Sequence, residues 1–215
     1  MATRMTIIVA DDHPLFRGAM RQALAEMPSS PDIVEAGDFT AAQQAAGRYP
    51  DADLLMLDLT MPGVSGFSGL MALRTEFPSL PILIVSAHDE PSTIARAIDL
   101  GACGFLSKSS GIEDIRRAID TVIAGNLFTP DGFQRGMSDD PDTANLIQRL
   151  KTLTPQQSRV LGMLAEGLLN KQIAYELGVS EATIKAHVSA ILLKLNVDSR
   201  TQAVIQLGKI TAVAA

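Results

Sequence analysis

Residues 54–63, LLMLDLTMPG, run from four large apolar side chains into a single carboxylate, Asp58, and break at Pro62-Gly63. Four consecutive apolar residues without polar alternation are typical of a strand that is buried on both faces. A carboxylate at the end of such a strand is strongly disfavoured if it is taken out of water without a partner. We therefore expect other groups of the chain, or a bound cation, to meet Asp58.

The first half of the chain alternates short apolar runs with helical patterns. Five runs have the continuous apolar character of covered strands: TIIVA (6–10), IVEA (33–36), LLML (54–57), ILIVSA (82–87) and CGFL (103–106). Between the runs, apolar residues recur at helical spacing, as at Leu15, Ala19, Ala23 and Met27. Five such units predict an α/β domain with a five-stranded, parallel, doubly wound sheet.

Polar residues follow four of these strands. They are Asp11 and Asp12 after the first, Asp58 at the end of the third, Ser86 in the fourth run and Lys108 after the fifth. The carboxyl ends of parallel strands share one edge of an open sheet, which is where ligands bind. Three carboxylates brought together there would repel one another unless a cation shares the site, and Mg²⁺ prefers such oxygen ligands.

Asp58 would then have two partners, the metal ion and the ammonium of Lys108. A carboxylate held beside both cations is placed to attack phosphorus, and the Ser86 hydroxyl could hydrogen-bond the product. Taken singly, each residue has an ordinary explanation, since Asp11-Asp12 could cap a helix at Pro14 and Lys108 could be a solvated charge. Their joint occurrence at strand ends favours the phosphoryl-transfer hypothesis.

Charge divides the chain into two halves. Residues 1–145 carry 10 Lys and Arg against 20 Asp and Glu, whereas residues 146–215 carry 8 against 4. A charge of −10 (10 minus 20) is therefore followed by +4 (8 minus 4), which together make the net charge of −6. An acidic half joined to a basic half indicates that only the second half meets a polyanion.

Cysteine content and hydropathy suggest where the protein acts. The single cysteine, Cys103, excludes an internal disulfide and suits a reducing cytoplasm. The apolar residues 7–10 are too few for a signal peptide, and no apolar stretch approaches the roughly 18 residues of a membrane span. We expect a cytoplasmic protein with no membrane partner.

The second half is helical throughout. Residues 127–145 are rich in Pro, Gly and Asp and predict a linker between a first domain (1–126) and a second (146–215). Four helices are expected in the second domain: one opened by a capping box at Thr154-Pro155-Gln156-Gln157, then residues 170–177, 181–195 and 200–210. The second and third of these have helix-turn-helix proportions.

The helix at 181–195 has two distinct faces. Its apolar residues should pack inward: Ile184, Val188, Ile191, Leu192 and Leu195. The opposite face is small and basic, with Ala182, Lys185, Ala186 and Ser189, which would let the helix approach phosphates and base edges in a major groove. The same pattern would also fit an ordinary amphipathic helix with a solvated face.

Four segments of the first half resemble the receiver domain of bacterial response regulators of the NarL/FixJ type. They are IVADDHPLFRGAM, LLMLDLTMPGVSG, ILIVSAHDE and GACGFLSKSS. The resemblance implies a flavodoxin-like fold in which Asp58 is the phosphoacceptor. It also implies that Mg²⁺ is bound by Asp11, Asp12, Asp58 and the backbone carbonyl of Thr60. Ser86 and Phe105 would be the switch residues and Lys108 the lysine that pairs with the phosphate, although Ser109 stands where proline is common.

Residues 153–204 resemble the LuxR-type helix-turn-helix DNA-binding domain. The resemblance implies that Lys185, Ala186 and Ser189 face bases or nearby backbone. It implies phosphate-side contacts for Thr183, Asn170, Lys171, Lys194 and Arg200. Ala190 departs from the frequent Asn, and Leu168-Leu169 replace a more polar turn.

Together these resemblances predict a transcription regulator of a two-component system. A sensor histidine kinase or a small phosphodonor would phosphorylate Asp58, and the change would govern binding of double-stranded promoter DNA, with a homodimer in the active state. Two alternatives remain open. An aspartyl-phosphate phosphatase or transferase should carry a second Asp two residues after the nucleophile, where this chain has Thr60. A regulator independent of phosphorylation would not need the full acidic set.

Overall fold

The structure is a computed structural model and describes residues 5–28, 30–64, 66–133 and 141–211. The described residues form two compact units, residues 5–133 and residues 141–211, each of which has its own fold. The first unit is α/β and the second is all-α, which confirms the predicted fold class.

The first unit contains a parallel sheet of five strands in the order β2-β1-β3-β4-β5. The strands are β1 (Thr6–Ala10), β2 (Asp32–Ala36), β3 (Leu54–Asp58), β4 (Ile82–Ser86) and β5 (Gly104–Ser107). Every residue of β3 and β4 is buried, as their continuous apolar runs predict. Because β3 lies at the centre of the sheet, Asp58 ends the most enclosed strand.

Helices cover both faces of this sheet. They are α1 (Pro14–Ala25), α2 (Phe39–Arg48), α3 (Ser68–Glu76), α4 (Pro91–Asp99) and α5 (Ile112–Ile123). One core cluster joins alternate strand residues, such as Val9 and Met56, to Leu24 of α1 and Ile119 of α5. Side chains alternate between the two faces of a strand, so Ile8 and Leu55 are buried on the other face. The predicted doubly wound arrangement is confirmed.

The segment after α5 is attached to the edge of the sheet. Phe128 is buried and forms a parallel bridge with Gly104 in β5. The Phe128 N–H donates to the Cys103 carbonyl at 3.2 Å, and the Phe105 N–H donates to the Phe128 carbonyl at 2.9 Å. The expectation of a linker beginning at residue 127 therefore missed an apolar anchor, because one buried aromatic residue is too short a signal to register in a Pro- and Gly-rich stretch.

The second unit contains five helices among the described residues, one more than the four expected. They are α6 (Pro141–Lys151), α7 (Pro155–Ala165), α8 (Asn170–Glu176), α9 (Glu181–Leu195) and α10 (Arg200–Thr211). The additional helix, α6, begins inside the expected linker. It buries Leu146, Ile147 and Leu150 and contacts α9 and α10, so tertiary packing stabilises it.

Local signals correctly predicted where the later helices begin. Thr154 and Gln157 form the reciprocal capping box of α7, and the Ser180 hydroxyl accepts the Thr183 N–H at the start of α9. Asn196 ends α9 in the left-handed conformation with φ of 56°. Within the described residues, no helix is both long enough and apolar enough to cross a bilayer.

Candidate functional site

The candidate site of the first unit begins with two buried carboxylates on adjacent strands. Asp11 directly follows β1 and Asp58 ends β3, and these strands pair through Ala10 and Leu57. Each residue is only 1% exposed. The parallel pairing therefore brings two acidic side chains to one edge of the sheet, as the strand-end pattern predicted.

Lys108 meets both carboxylates. Its Nζ lies 2.8 Å from Asp58 Oδ2 and 2.8 Å from Asp11 Oδ2. The residue follows β5, where its N–H donates to the Ser86 carbonyl at 2.8 Å, and its ammonium lies 5.1 Å from the Phe16 ring centroid. Burial lowers the pKa of Lys108, but the contacts with Asp11 and Asp58 outweigh burial and leave that pKa above its ordinary value.

Thr60 provides further contacts to the Asp58 carboxylate. Its N–H donates to Asp58 Oδ1 at 3.2 Å, and its hydroxyl lies 3.1 Å from each of the two carboxylate oxygens. The chain then turns at Gly63, whose φ of 91° is readily adopted only by glycine. Thr60 therefore positions Asp58 and leaves this point of the site without the second carboxylic acid that an aspartyl-phosphate phosphatase would need.

Asp12 and His13 complete a cluster that can hold a metal ion. One ligand atom from each of Asp11, Asp12, His13 and Asp58 lies within 4.8 Å of the others. Asp11 Oδ2 and Asp12 Oδ1 are buried and accept no hydrogen bond of good geometry, although Lys108 Nζ and His13 Nδ1 lie 2.8 and 2.7 Å away. Buried carboxylate oxygens with free lone pairs fit a hard divalent cation. His13, adjacent to Asp11-Asp12 in the sequence, was not among the predicted site residues.

The two proposed switch residues are buried in neighbouring strands. Ser86 ends β4 one residue after Val85, which pairs with Asp58, and its hydroxyl accepts the His88 N–H at 3.1 Å. Phe105 lies in β5 and pairs with Ile84. The structure thus places Ser86 at the same edge as Asp58, whereas Phe105 contacts the anchored Phe128 segment through its backbone.

A hydrogen-bonded cluster links the loops after β4 and β5, and the sequence analysis missed it. The Ser107 hydroxyl donates to Asp89 Oδ2 at 2.7 Å and lies 2.8 Å from the Ser109 hydroxyl. Ser107 and Ser109 flank Lys108 in the sequence, so their hydrogen bonds help to hold the loop that contains the lysine. Serine and aspartate are frequent in loops. Because Asp89 and Ser107 are 18 positions apart, nothing in the sequence indicated that they are in contact.

In the second unit, α9 presents the predicted outer face. Lys185, Ala186, Ser189 and Thr183 are all exposed, whereas Ile184, Ile191 and Leu195 are buried. Val188 and Leu192, which were expected to pack inward, are half-buried. Lys185 pairs with Glu181 at 3.1 Å, and the Ser189 hydroxyl donates to the Lys185 carbonyl at 3.0 Å. Both contacts lie along the helix and leave its outer face accessible.

The other residues predicted to contact DNA fall into two groups. Lys171 is exposed and Asn170 is half-buried at the start of α8. Lys194 donates to the Thr152 carbonyl at 2.7 Å and to Gln157 Oε1 at 2.8 Å, and Arg200 donates to the Leu168 carbonyl at 2.7 Å. Lys194 and Arg200 therefore use some of their N–H donors inside the domain, and a phosphate contact by either would use the donors that remain.

Comparison with known proteins matches both units. The family model described as response regulator receiver domain covers residues 7–120, and that described as bacterial regulatory proteins, luxR family, covers residues 151–207. The chain is 40% identical over 210 residues to the glycerol metabolism activator of Pseudomonas putida, with 95% of each chain covered. It is 38% identical to the nitrate/nitrite response regulator protein NarP of Escherichia coli K12, covering 95% of this chain and 94% of that protein.

A solved structure with the same architecture is that of RcsB from Salmonella enterica serovar Typhimurium, bound to promoter P1flhDC with a phosphomimetic beryllofluoride. Its TM-score is 0.57 at 29% identity, with 97% of this chain and all of that chain covered. The family models, the relatives and the fold agree over nearly the whole chain. The chain belongs to the NarL-type response regulators, transcriptional regulators in which a receiver domain is joined to a LuxR-type DNA-binding domain.

Proposed function

We propose that Asp58 accepts a phosphoryl group from a sensor histidine kinase or a small phosphodonor, and that its occupancy governs promoter binding by α9. The observation that carries the proposal is the contact of Lys108 Nζ with Asp58 Oδ2 at 2.8 Å, beside the buried Asp11. A lysine held there can pair with an oxygen of an incoming phosphoryl group. The protein promotes its own modification and has no separate substrate.

The proposed step is a phosphoryl transfer onto a carboxylate. An oxygen of Asp58 forms a bond to phosphorus while the donor's bond from phosphorus to its leaving nitrogen or oxygen breaks. Thr60 orients the acceptor through its N–H and hydroxyl, and Lys108 offsets charge on the transferred group. Ser86, buried at the same edge, supplies a hydroxyl that can turn towards the product.

Mg²⁺ is the cofactor that we propose for this site. Asp11, Asp12 and Asp58 would hold it together with the backbone carbonyl of Thr60, since their carboxylate oxygens cluster in the structure. When bound, the ion would neutralise charge on the phosphoryl oxygens. The preference of Mg²⁺ for oxygen ligands and retained waters supports this choice.

We further propose that α9 enters the major groove of double-stranded promoter DNA. Lys185, Ala186 and Ser189 would meet bases or adjacent backbone, and Thr183, Asn170 and Lys171 would meet phosphates. RcsB has been solved as dimers bound to DNA, which supports an active homodimer here. We propose that the receiver extends at least to Phe128, which bridges to β5, and that the DNA-binding domain includes α6 from Pro141 onward. A promoter target implies action in the cytoplasm.

Intact-mass measurement tests the phosphoacceptor. Wild-type protein incubated with acetyl phosphate should gain about 80 Da, the mass of one phosphoryl group, only when Mg²⁺ is present. Asp58→Asn should gain nothing, while Asp53→Asn, at an exposed position before β3, should behave as wild type. Addition of the same mass to the folded Asp58→Asn protein would overturn the assignment.

Footprinting with the same proteins tests the link to DNA. Phosphodonor should change protection of the operator by the wild-type protein and leave protection by Asp58→Asn unchanged. If both respond equally, phosphorylation at Asp58 does not control DNA binding. Steady hydrolysis of an added phosphate ester would instead favour the phosphatase alternative.

A further inference from the structure

The outward face of α9 ends in an exposed leucine. Leu193 is 83% exposed, although Ile184, Ile191 and Leu195 of the same helix are buried. At 3.6 residues per turn it lies in line with three small exposed residues. We call these four residues the outer strip: Ala182, Ala186, Ser189 and Leu193.

The outer strip has little hydrogen-bonding capacity. Its one polar side chain, Ser189, already donates its hydroxyl hydrogen to the Lys185 carbonyl at 3.0 Å and so faces outward as an acceptor only. Ala182, Ala186 and Leu193 present hydrocarbon. In a major groove, the group that matches hydrocarbon is the C5-methyl of thymine, because other base edges there present donors and acceptors that an apolar side chain would leave unpaired.

We propose that Leu193 is a specificity-determining residue that packs against a thymine methyl in the operator half-site. This proposal rests on the proposed function of α9 and identifies the kind of base that it reads. The outer strip is continuous with the recognition face that contains Lys185, Ala186 and Ser189, so the groove that receives Ala186 also receives the next two turns of the helix. Contact with the methyl removes apolar surface of Leu193 from water.

Helix geometry predicts where the thymine lies. In zinc fingers, recognition-helix residues three or four positions apart meet successive base pairs. Ser189 and Leu193 are four positions apart, and Ala186 and Leu193 are seven apart. The base pair that meets Leu193 should therefore neighbour the one that meets Ser189 and lie about two base pairs from the one that meets Ala186.

The test begins with selection of a preferred duplex from a random-core library by the phosphorylated full-length wild-type protein. Each thymine of the selected half-site is then replaced, one at a time, by deoxyuridine, which removes only the methyl group. For wild type, one replacement should weaken binding about fourfold, the value expected for one buried methyl-sized group. The affected thymine should lie next to the base pair that meets Ser189, on the side away from the base pair that meets Ala186. The Leu193→Ala protein should bind the thymine and deoxyuridine duplexes equally at that position.

Leu169→Ala is the matched control, because Leu169 is also an exposed leucine of this domain, at 64%, but lies outside α9. It should retain the wild-type ratio between the two duplexes, whatever its absolute affinity. Both positions are exposed, so both variants should fold, and alanine favours helix at position 193. A second variant, Leu193→Lys, would place an ammonium in the groove within reach of the flanking phosphates, so it should steepen the dependence of log affinity on log salt by about 0.9.

Three results would overturn the proposal: a selected site without thymine at the predicted position, an equal loss on deoxyuridine replacement in wild type and Leu193→Ala, or an unchanged salt slope in Leu193→Lys. A change in dimerisation by Leu193→Ala with intact methyl dependence would assign the residue to a protein contact instead. If wild type selects no sequence at all, the proposed DNA-binding function fails first, and this inference fails with it.

Discussion

Lys108 Nζ donates a hydrogen bond to Asp58 Oδ2 at 2.8 Å, although the two residues are 50 positions apart. The same ammonium lies 2.8 Å from Asp11 Oδ2. One cation therefore serves two buried carboxylates, with Asp12 close by. This shortage of positive charge is what the proposed divalent cation would relieve, and it makes Lys108 the main internal counter-ion of the site.

Replacing Lys108 should destabilise the receiver in the absence of Mg²⁺. Lys108→Met keeps the length of the side chain and removes the charge, which leaves Asp11 and Asp58 buried without their cation. We expect the free energy of unfolding to fall by about 2–3 kcal/mol. This figure is at the low end for a broken buried ion pair because the Lys108 side chain is partly exposed. Hydrogen exchange of peptides from β3, with EDTA or with Mg²⁺, measures the loss, and Mg²⁺ should recover part of it.

Lys209→Met provides the surface control for this substitution. Lys209 is exposed on α10, so its replacement should change stability by less than about 0.5 kcal/mol. Equal stability of Lys108→Met and wild type in EDTA would show that the lysine contact contributes nothing to the fold.

The raised pKa of Lys108 predicts a pH dependence at the alkaline end. A group with a folded-state pKa above its unfolded value contributes stability that is complete below the unfolded pKa, with an ordinary value of 10.5 here, and is lost as pH rises through the folded pKa. In EDTA, the difference in unfolding free energy between wild type and Lys108→Met should therefore be constant near neutrality and shrink above pH 10.5. A difference that grows in this range would contradict the assigned direction.

Two lysines of α9 should differ in what their removal changes. Lys185 is exposed and pairs along the helix with Glu181, whereas Lys194 donates to the Thr152 carbonyl and Gln157 Oε1. Lys185→Met should make the salt dependence of DNA affinity shallower by about 0.9 in log–log slope. Lys194→Met should cost about 1 kcal/mol of unfolding free energy and leave that slope unchanged. Equal slope changes would show that Lys194 also contacts a phosphate.

Gly104→Ala tests the anchor that Phe128 makes on the sheet edge. An added Cβ would lie 2.8 Å from the Phe128 carbonyl oxygen and 2.9 Å from Leu83 Cδ1. Because backbone cannot yield as a flexible side chain does, we expect a destabilisation of about 1–3 kcal/mol and faster hydrogen exchange at the Phe128 N–H. Gly18→Ala, in the exposed face of α1 with nothing within 4 Å, should instead stabilise slightly. Similar effects of the two substitutions would argue against a close contact at Gly104.

Much of the site followed from pattern alone. Continuous apolar runs predicted the covered strands, and the rule that parallel strands end at one edge predicted that Asp11, Asp58 and Lys108 would meet there. The capping signals at Thr154 and Ser180 predicted where α7 and α9 begin. These inferences succeeded because they depend on local periodicity, on backbone groups a few residues away, or on one general rule of sheet topology.

Other features depended on partners distant in sequence. Phe128 was predicted to lie in a linker, but it hydrogen-bonds with backbone groups at β5. The start of α6 was predicted to lie in the same linker, but α6 packs against α9 and α10. Lys194 and Arg200 are basic residues of the kind that contact phosphates, and the fold gives each of them a carbonyl partner from another part of the domain. A sequence pattern indicates which groups a residue can donate or bury. It does not indicate which residue distant in the sequence will contact it.

The βα alternation, the order of the acidic residues along it, and the helix-turn-helix that follows can all be inferred from the order of the amino acids. Only the packing of distant segments shows that a single lysine serves two carboxylates, that the Ser107 hydroxyl reaches Asp89, and that Leu193 stays in solvent while Ile191 and Leu195 are buried. The physical reason is range: propensity and capping act within a few residues, whereas ion pairing and burial depend on which distant segments pack together.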